Sequence, residues 1–160
     1  MPLYYGDVPG ALQTTNGSAN TTNDCFFIKP GSARTVWLVA LNFIGRGAGL
    51  TAITGLAYRV EQWTTTASAG GTGITPAPLD PGYQAAKHTC GYSASAVTPG
   101  TGGPLLKLAV GSSATGPLPW VAPNQDQAPS AEAGANQSID VFNISGGLSL
   151  NFEMSATAQE

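Results

Sequence analysis

Bulky apolar and polar residues alternate along several stretches of this chain, and a period of two is typical of β-strands. The longest apolar run, RTVWLVALNFIG, extends from Arg34 to Gly45. It is rich in β-branched and aromatic residues and is shorter than the roughly 20 residues that a membrane-spanning helix needs, so it predicts a central strand. Alternation gives it two apolar faces, with Trp37, Val39, Leu41 and Phe43 on one and Val36, Leu38, Ala40 and Ile44 on the other. We expect both faces to be covered, by a second sheet and by either a loop or another subunit.

Shorter runs predict further strands. DCFFIKPG predicts one that ends at Pro30, and LAYRVEQW predicts one with Leu56, Tyr58 and Val60 on a single face. LLKLAVG, PWVA and a stretch from about Ala85 to Ser93 are further candidates. The segment QSIDVFNISGGLSLNFEMSATAQ predicts a hairpin in which Ile139 and Val141 lie opposite the strand that follows the SGG turn.

About eight short strands, unevenly spaced and separated by segments rich in Gly and Pro, indicate an all-β fold. Such a pattern is typical of an antiparallel two-sheet sandwich. Long connections between strands favour a jelly roll over the immunoglobulin type, whose Cys, Trp, Cys framework is missing. We therefore predict one jelly-roll domain over residues 23–160.

Residues 1–22 combine Pro, Gly, Thr and Asn with a few bulky apolar side chains, and we predict that they form an extended arm instead of a strand. Wholly polar linkers lack such side chains. We therefore expect Tyr4, Tyr5 and Leu12 to dock on a surface, either the domain's own sheet or a neighbouring subunit.

Charged residues make up 9% of the 160 residues and the net charge is -3, so no basic surface is available for nucleic acid. The opening residues lack the basic and apolar regions of a signal peptide or anchor. We expect synthesis in the cytosol, with neither nucleic acid nor a membrane as a partner.

The chain offers little for catalysis. His88 is its one histidine, and we interpret it as an ordinary surface or strand residue, which leaves no set of ligands for a metal and no base for a catalytic triad. We predict no enzyme activity, no metal and no cofactor. Cys25 and Cys90 fit buried free thiols, although a disulfide between them remains open.

Two functions that are not enzymatic fit this composition. One is a structural virion protein that assembles on a symmetric shell, with Tyr4, Tyr5, Leu12, Trp37, Val39, Leu41 and Phe43 as the candidate assembly residues. The other is a carbohydrate-binding or receptor-binding module of a fibre or tail tip, in which Trp63 or Trp120 stacks on a sugar. Burial of both tryptophans in the core is the competing interpretation.

The opening YYGDVPGALQTTNGSANTTNDCFFIKPGSARTVW and the closing GANQSIDVFNISGGLSLNFEMS resemble small proteins encoded among the head genes of tailed bacteriophages. The resemblance covers most of the chain and rests on general pattern. It implies a jelly-roll decoration or cement protein that binds the major capsid protein on the outer surface of the head and stabilises the shell. It also implies a homotrimer, made in the host cytoplasm and carried on the virion.

Overall fold

The computed structural model describes residues 1–8, 12–14, 26–45, 56–61, 71–92, 106–110, 118–143 and 150–160. These residues form thirteen strands and one 3₁₀ turn, Gln125–Gln127. The strands are β1 (Leu3–Asp7), β2 (Leu12–Thr14), β3 (Phe26–Lys29), β4 (Val36–Gly45), β5 (Leu56–Glu61), β6 (Thr72–Ile74), β7 (Ala77–Pro78), β8 (Thr89–Tyr92), β9 (Leu106–Val110), β10 (Leu118–Val121), β11 (Ser130–Ala131), β12 (Ile139–Asn143) and β13 (Leu150–Gln159).

The strands form two antiparallel sheets, which confirms the predicted all-β, two-sheet class. Sheet A has the order β10-β4-β13-β1-β7, with β11 also paired to β4 and β2 also paired to β13. Sheet B has the order β6-β8-β3-β12-β5-β9. One hydrophobic cluster draws buried residues from both sheets: Val8, Phe26, Ile28, Val36, Leu38, Leu41, Val60, Cys90, Ala131, Ile139, Val141, Met154, Ala156 and Ala158.

The predicted central strand is β4, which pairs with β13 in the interior of sheet A. Its simple alternation is interrupted, because Thr157 pairs with Ala40 while Ala158 pairs with Leu38. Val39 is therefore an extra residue in the ladder, as in a β-bulge. The bulge returns Leu41 to the inner face beside Leu38, where both are fully buried. The prediction that Leu41 shares a face with Trp37 and Val39 is wrong for this reason.

The prediction that the opening segment contains no strand is also wrong. β1 pairs with β13 on one side and with β7 on the other, and β2 continues along β13. Tyr4, Gly6 and Val8 are buried while Tyr5 and Asp7 are exposed, so the segment has the period of a half-buried strand. The Pro and Gly content of this segment favoured an arm, although its individual positions alternate between buried and exposed.

The predicted hairpin near the end of the chain is wrong as well. β12 pairs with β3 and β5 in sheet B, whereas β13 pairs with β4, β1 and β2 in sheet A. Alternation shows that Ile139 and Val141 need an apolar partner on one face. It does not show whether the next strand lies beside them or across the sandwich.

The strand predicted from about Ala85 begins only at Thr89, and the residues before it run across one end of sheet A. The backbone N–H of Leu79 donates to the carbonyl of Leu3 at 2.9 Å, and that of Tyr83 donates to the carbonyl of Asp80 at 3.0 Å. Residues 79–88 are called the crossing segment below. This segment, together with the ends of β1 and β13, forms a cleft.

Candidate functional site

The cleft has a volume of about 390 Å³ and lies where the crossing segment meets sheet A. β1 supplies Tyr4 to its wall, Glu160 follows the end of β13, and Arg34 precedes β4. The remaining lining residues are Pro2, Gly82, Tyr83, Gln84, Ala85 and Lys87. Side chains far apart in the sequence therefore meet because β1 and β13 are neighbours.

A buried carboxylate is the central group of this cleft. Glu160 is 5% exposed, and its oxygens accept hydrogen bonds from three N–H groups of the crossing segment. The backbone N–H of Lys87 donates to Oε1 at 2.9 Å and lies 3.1 Å from Oε2, and the backbone N–H of His88 donates to Oε2 at 3.1 Å. The third donor is Nδ1 of His88, 3.0 Å from Oε2. These contacts fix the carboxylate in place.

His88 is buried, at 2% exposure, so our interpretation of it as an ordinary surface or strand residue is wrong. Burial lowers the pKa of the imidazole, although the Glu160 carboxylate acts in the opposite direction. The ring is therefore neutral near pH 7. Because an ionised carboxylate only accepts, the proton lies on Nδ1 and Nε2 carries a lone pair. Nε2 is buried and has no hydrogen-bond partner among the residues that the structure describes.

The pKa of Glu160 shifts downward for a related reason. Burial by itself raises the pKa of this carboxyl, but the N–H of Lys87, the His88 ring and the N–H of His88 together lower it below its ordinary value. Glu160 is consequently an anion near pH 7. Among the described residues, its charge is compensated by hydrogen bonds, and neither lysine nor arginine forms an ion pair with it.

Tyr4 covers the buried pair from β1. Its ring meets that of His88 edge to face, with centroids 5.3 Å apart and an angle of 78° between the planes. Its hydroxyl donates to the carbonyl of Gln84 at 3.2 Å, which ties β1 to the crossing segment. Burial raises the pKa of Tyr4, and the nearby Glu160 carboxylate raises it further, so the phenol is protonated and able to donate.

Gly31 allows the crossing segment to lie this close to the sandwich. A Cβ atom built at this position would clash with the backbone oxygen of Lys87. Any larger residue would push Lys87 and His88 away from Glu160. The glycine between β3 and β4 is therefore part of the architecture of the cleft.

The structure separates the predicted assembly residues into two groups. Tyr4 and Leu41 are buried inside this chain, whereas Tyr5 is 37% exposed and Trp37 and Val39 are half-buried. The backbones of Leu12 and Phe43 lie in β2 and β4, and their side chains are outside the described set. Of the two predicted stacking residues, Trp120 is partly buried and packs against the core, and Trp63 lies outside the described residues.

Three adjoining rows of residues on the outer face of sheet A are accessible and nearly free of charge. Directly paired residues point to the same side of a sheet, so the strand registers define rows across this face. The central row contains Ala77, Tyr5, Thr157, Ala40 and Val121, all exposed or half-buried. The two flanking rows contain Leu3, Gln159, Trp37 and Ser130, and Asp7, Ser155, Asn42 and Pro119. Asp7 is the one charged residue in these three rows.

The outer face of sheet B differs from that of sheet A. Phe27, Asp140 and Phe142 alternate with core residues and so point away from the interior, yet all three are buried. The hydroxyl of Ser138 donates to Oδ2 of Asp140 at 2.6 Å. Among the described residues, sheet A is therefore the sheet whose outer rows are accessible and carry little charge.

Within the described ranges, no three or more His, Cys, Asp or Glu residues are grouped to hold a metal ion. Cys90 is a buried free thiol, as predicted, and burial raises its pKa to about 12, while Cys25 is outside those ranges. No helix in the described part of the chain is long and apolar enough to span a membrane. No protein-family model, curated protein or solved structure matches the chain.

Sequence reasoning missed the pairing of His88 with Glu160. The two residues are 72 positions apart, and neither lies in a recognisable motif. No local signal marked the pair, because the burial of His88 and its approach to Glu160 depend on strands that are far apart in the sequence.

Proposed function

We propose that this protein is a structural virion protein, a decoration or cement protein that binds the outside of a phage head and stabilises the shell. The observation that carries the proposal is the neutral outer face of sheet A. Such a face, with Tyr5, Trp37 and Val121 among its apolar members, has the composition of an assembly surface, whose core is depleted in charge.

The order of strand pairing supports a jelly roll. Setting aside β6, β7, β8 and β11, and treating β1 and β2 as one interrupted strand, eight strands remain. Their pairings nest: the first pairs with the last, β3 with β12, β4 with β10, and β5 with β9. A long folded ribbon that is wrapped into two sheets produces such nesting, and jelly rolls recur in capsid proteins.

In this proposal the subunits form a homotrimer, made in the host cytoplasm, that lies on the capsid surface. Tyr5, Trp37 and Val39 contact a second copy or the major capsid protein, and each such contact needs to bury more than about 1,000 Å² to be stable. No catalytic step, metal or cofactor is involved. Attachment through neutral groups is weakly sensitive to salt, which screens charges beyond about 8 Å at physiological ionic strength.

The alternative function is a carbohydrate-binding or receptor-binding module, in which a sugar stacks on Trp63 or Trp120. Trp120 gives it no support, because this side chain is half-buried and packs against the core.

The first prediction concerns Val121, which is 62% exposed and lies on the outer face of sheet A. Val121→Asp places an uncompensated carboxylate in the proposed contact and leaves the core intact. We expect the wild type to have the mass of a trimer by light scattering and to bind particles stripped of it, in high salt as well as low. The variant should be monomeric and bind at least tenfold more weakly. Thr72→Asp, at an exposed position of β6 in sheet B, is the matched control. A wild type that neither self-associates nor binds particles would contradict the proposal.

A further inference from the structure

We propose that the cleft beside Glu160 binds a small organic anion through the carboxylate or phosphate group of that ligand. This site is separate from the outer face of sheet A and from both tryptophans, so the inference does not rest on the proposed virion role. It follows from which charges of the cleft are accessible and which charge is enclosed.

The negative charge of the cleft is enclosed. The side chain of Glu160 is 1% exposed, and its oxygens already accept from the N–H groups of Lys87 and His88 and from the His88 ring. A ligand in the cleft therefore does not touch this carboxylate. Its charge acts on a ligand only from a distance, and the three N–H donors offset part of it.

The accessible charges of the cleft are positive. Arg34 and Lys87 line it and are exposed, and among the described residues neither of their side chains forms an ion pair with a carboxylate. Only 6 of the 160 residues are Lys or Arg, so two of them in one cleft are a local concentration of positive charge. Guanidinium and ammonium groups donate and never accept, and a guanidinium matches a carboxylate or phosphate with two parallel hydrogen bonds. The cleft therefore favours an anion.

The charge of Arg34 acts on the wall of the cleft that Tyr4 forms. Burial is the main cause that raises the pKa of the Tyr4 phenol and Glu160 raises it further, whereas Arg34 lowers it. A charge has such an effect on a pKa from close range. The guanidinium is therefore near the phenol, on the side of the cleft where β1 and the crossing segment meet.

Tyr83 supplies an apolar wall for the body of the ligand. It is 48% exposed although it lines the cleft. Its backbone is held in a turn, in which its N–H donates to the carbonyl of Asp80 at 3.0 Å and the N–H of Gly82 donates to Oδ1 of Asp80 at 2.8 Å. The face of a phenol ring packs well against another ring. The volume of about 390 Å³ lies near the lower end of the range of about 300–1,000 Å³ for small-molecule sites.

The second prediction is tested by titrating isotopically labelled full-length protein near pH 7 with benzoate, phenyl phosphate and the neutral compound benzamide. Backbone amide shifts are the readout. We expect at least one of the two anions to bind at millimolar concentration, with the largest shifts at Gly82 to His88, and benzamide to bind at least tenfold more weakly. Raising sodium chloride from about 0.02 M to about 0.3 M should weaken the binding of the anion, because salt screens exposed charges.

Substitutions that remove one positive charge test the two cations. Arg34→Gln and Lys87→Gln should each weaken binding of the anion at least fivefold, and both keep the backbone N–H groups, including the one that Lys87 donates to Glu160. Lys29→Gln is the matched control, because Lys29 ends β3 and does not line the cleft. It should change the binding less than twofold. Unchanged thermal unfolding of the variants excludes unfolding as the cause of a lost signal.

The proposal is overturned if neither anion shifts these amides, or if benzamide binds as tightly as the anions. It is also overturned if Arg34→Gln and Lys87→Gln both bind the anion as well as the wild type. Equal weakening by Lys29→Gln has the same consequence, since the anion would then respond to the general charge of this end of the molecule. Equal shifts in sodium chloride alone, at matched ionic strength, would likewise show that the cleft has no site for an organic anion.

Discussion

At the scale of single residues, Glu160 links the crossing segment to the end of β13 through a buried carboxylate. Taking a carboxylate out of water costs several kcal/mol, and the hydrogen bonds from Lys87 and His88 must compensate for that cost. In return, they fix the crossing segment against the end of β13. The close backbone approach at Gly31 and the hydroxyl of Tyr4 act on the same segment.

The third prediction follows from this pairing. Glu160→Gln replaces one carboxylate oxygen, an acceptor, with an NH₂ group, a donor, so a donor then faces the N–H groups and at least one of them is left unsatisfied. We expect the free energy of unfolding in urea to fall by about 2–3 kcal/mol. Glu132→Gln, at an exposed position between β11 and β12, is the matched control and should change it by less than about 0.5 kcal/mol. Equal effects of the two substitutions would show that the buried carboxylate has no structural role.

At the scale of elements, β1 is the strand whose role changes most between sequence and structure. It lies between β13 and β7 and contributes Tyr4, 2% exposed, to the interior, and Val8, also 2% exposed, directly follows it. An arm that docks on a neighbour could be removed without harm to the domain. A strand inside a sheet cannot, because its loss uncovers the core and leaves the edge of β13 unpaired.

The fourth prediction is therefore that deletion of residues 1–8 unfolds the protein. Burial of Tyr4 and Val8 contributes about 1.5–3 kcal/mol each, and the lost pairing along β13 adds to this, against a total stability of about 5–15 kcal/mol for an ordinary domain. Circular dichroism and urea titration should show no cooperative transition. A chain that lacks only Met1, which is 70% exposed, should unfold like the wild type. A folded truncated protein would restore the original hypothesis of a detachable arm.

At the scale of the whole molecule, the pH dependence of stability has one dominant source near neutrality. His88 is the single histidine in the sequence, and no other side chain has an ordinary pKa between about 5 and 8. Its pKa in the folded protein is lowered, so on acidification the unfolded chain takes up a proton that the folded chain resists. A proton on Nε2 would create a buried N–H without a described partner. The pKa of Glu160 is lowered too, and its contribution is lost at still lower pH, as the carboxylate is protonated.

The fifth prediction is that the free energy of unfolding falls as the pH drops below about 6.5, the ordinary pKa of histidine, and falls again below about 4.3, that of glutamic acid. Both shifts act in the same direction. Urea titrations at about pH 7.5 and about pH 5.5 measure the first step, which should be absent in His88→Gln. If the wild type instead becomes more stable at the lower pH, the attraction between Glu160 and a charged imidazole outweighs the cost of burial, and the sign of the His88 shift is reversed.

The sequence by itself determined that this is an all-β protein and where most of its longer strands lie. β3, β4, β5, β9 and β10 were predicted from their apolar runs and their Pro and Gly boundaries. This works because the side-chain period of a strand, and its need for an apolar partner, depend on residues that are adjacent in the chain. The 9% content of charged residues likewise indicated a surface that is mostly neutral and polar, without saying which face.

Only the tertiary structure decided which strands are neighbours. The pairing of β12 with β3 and β5, the bulge at Val39 and the insertion of β1 beside β13 all depend on competition between partners distant in the sequence. The cleft depends on the same choice, because Glu160 reaches His88 only when β13 ends beside the start of β8. Local alternation indicates that a strand buries one face. Which strand becomes its partner depends on the free energy of packing and pairing across the whole sandwich.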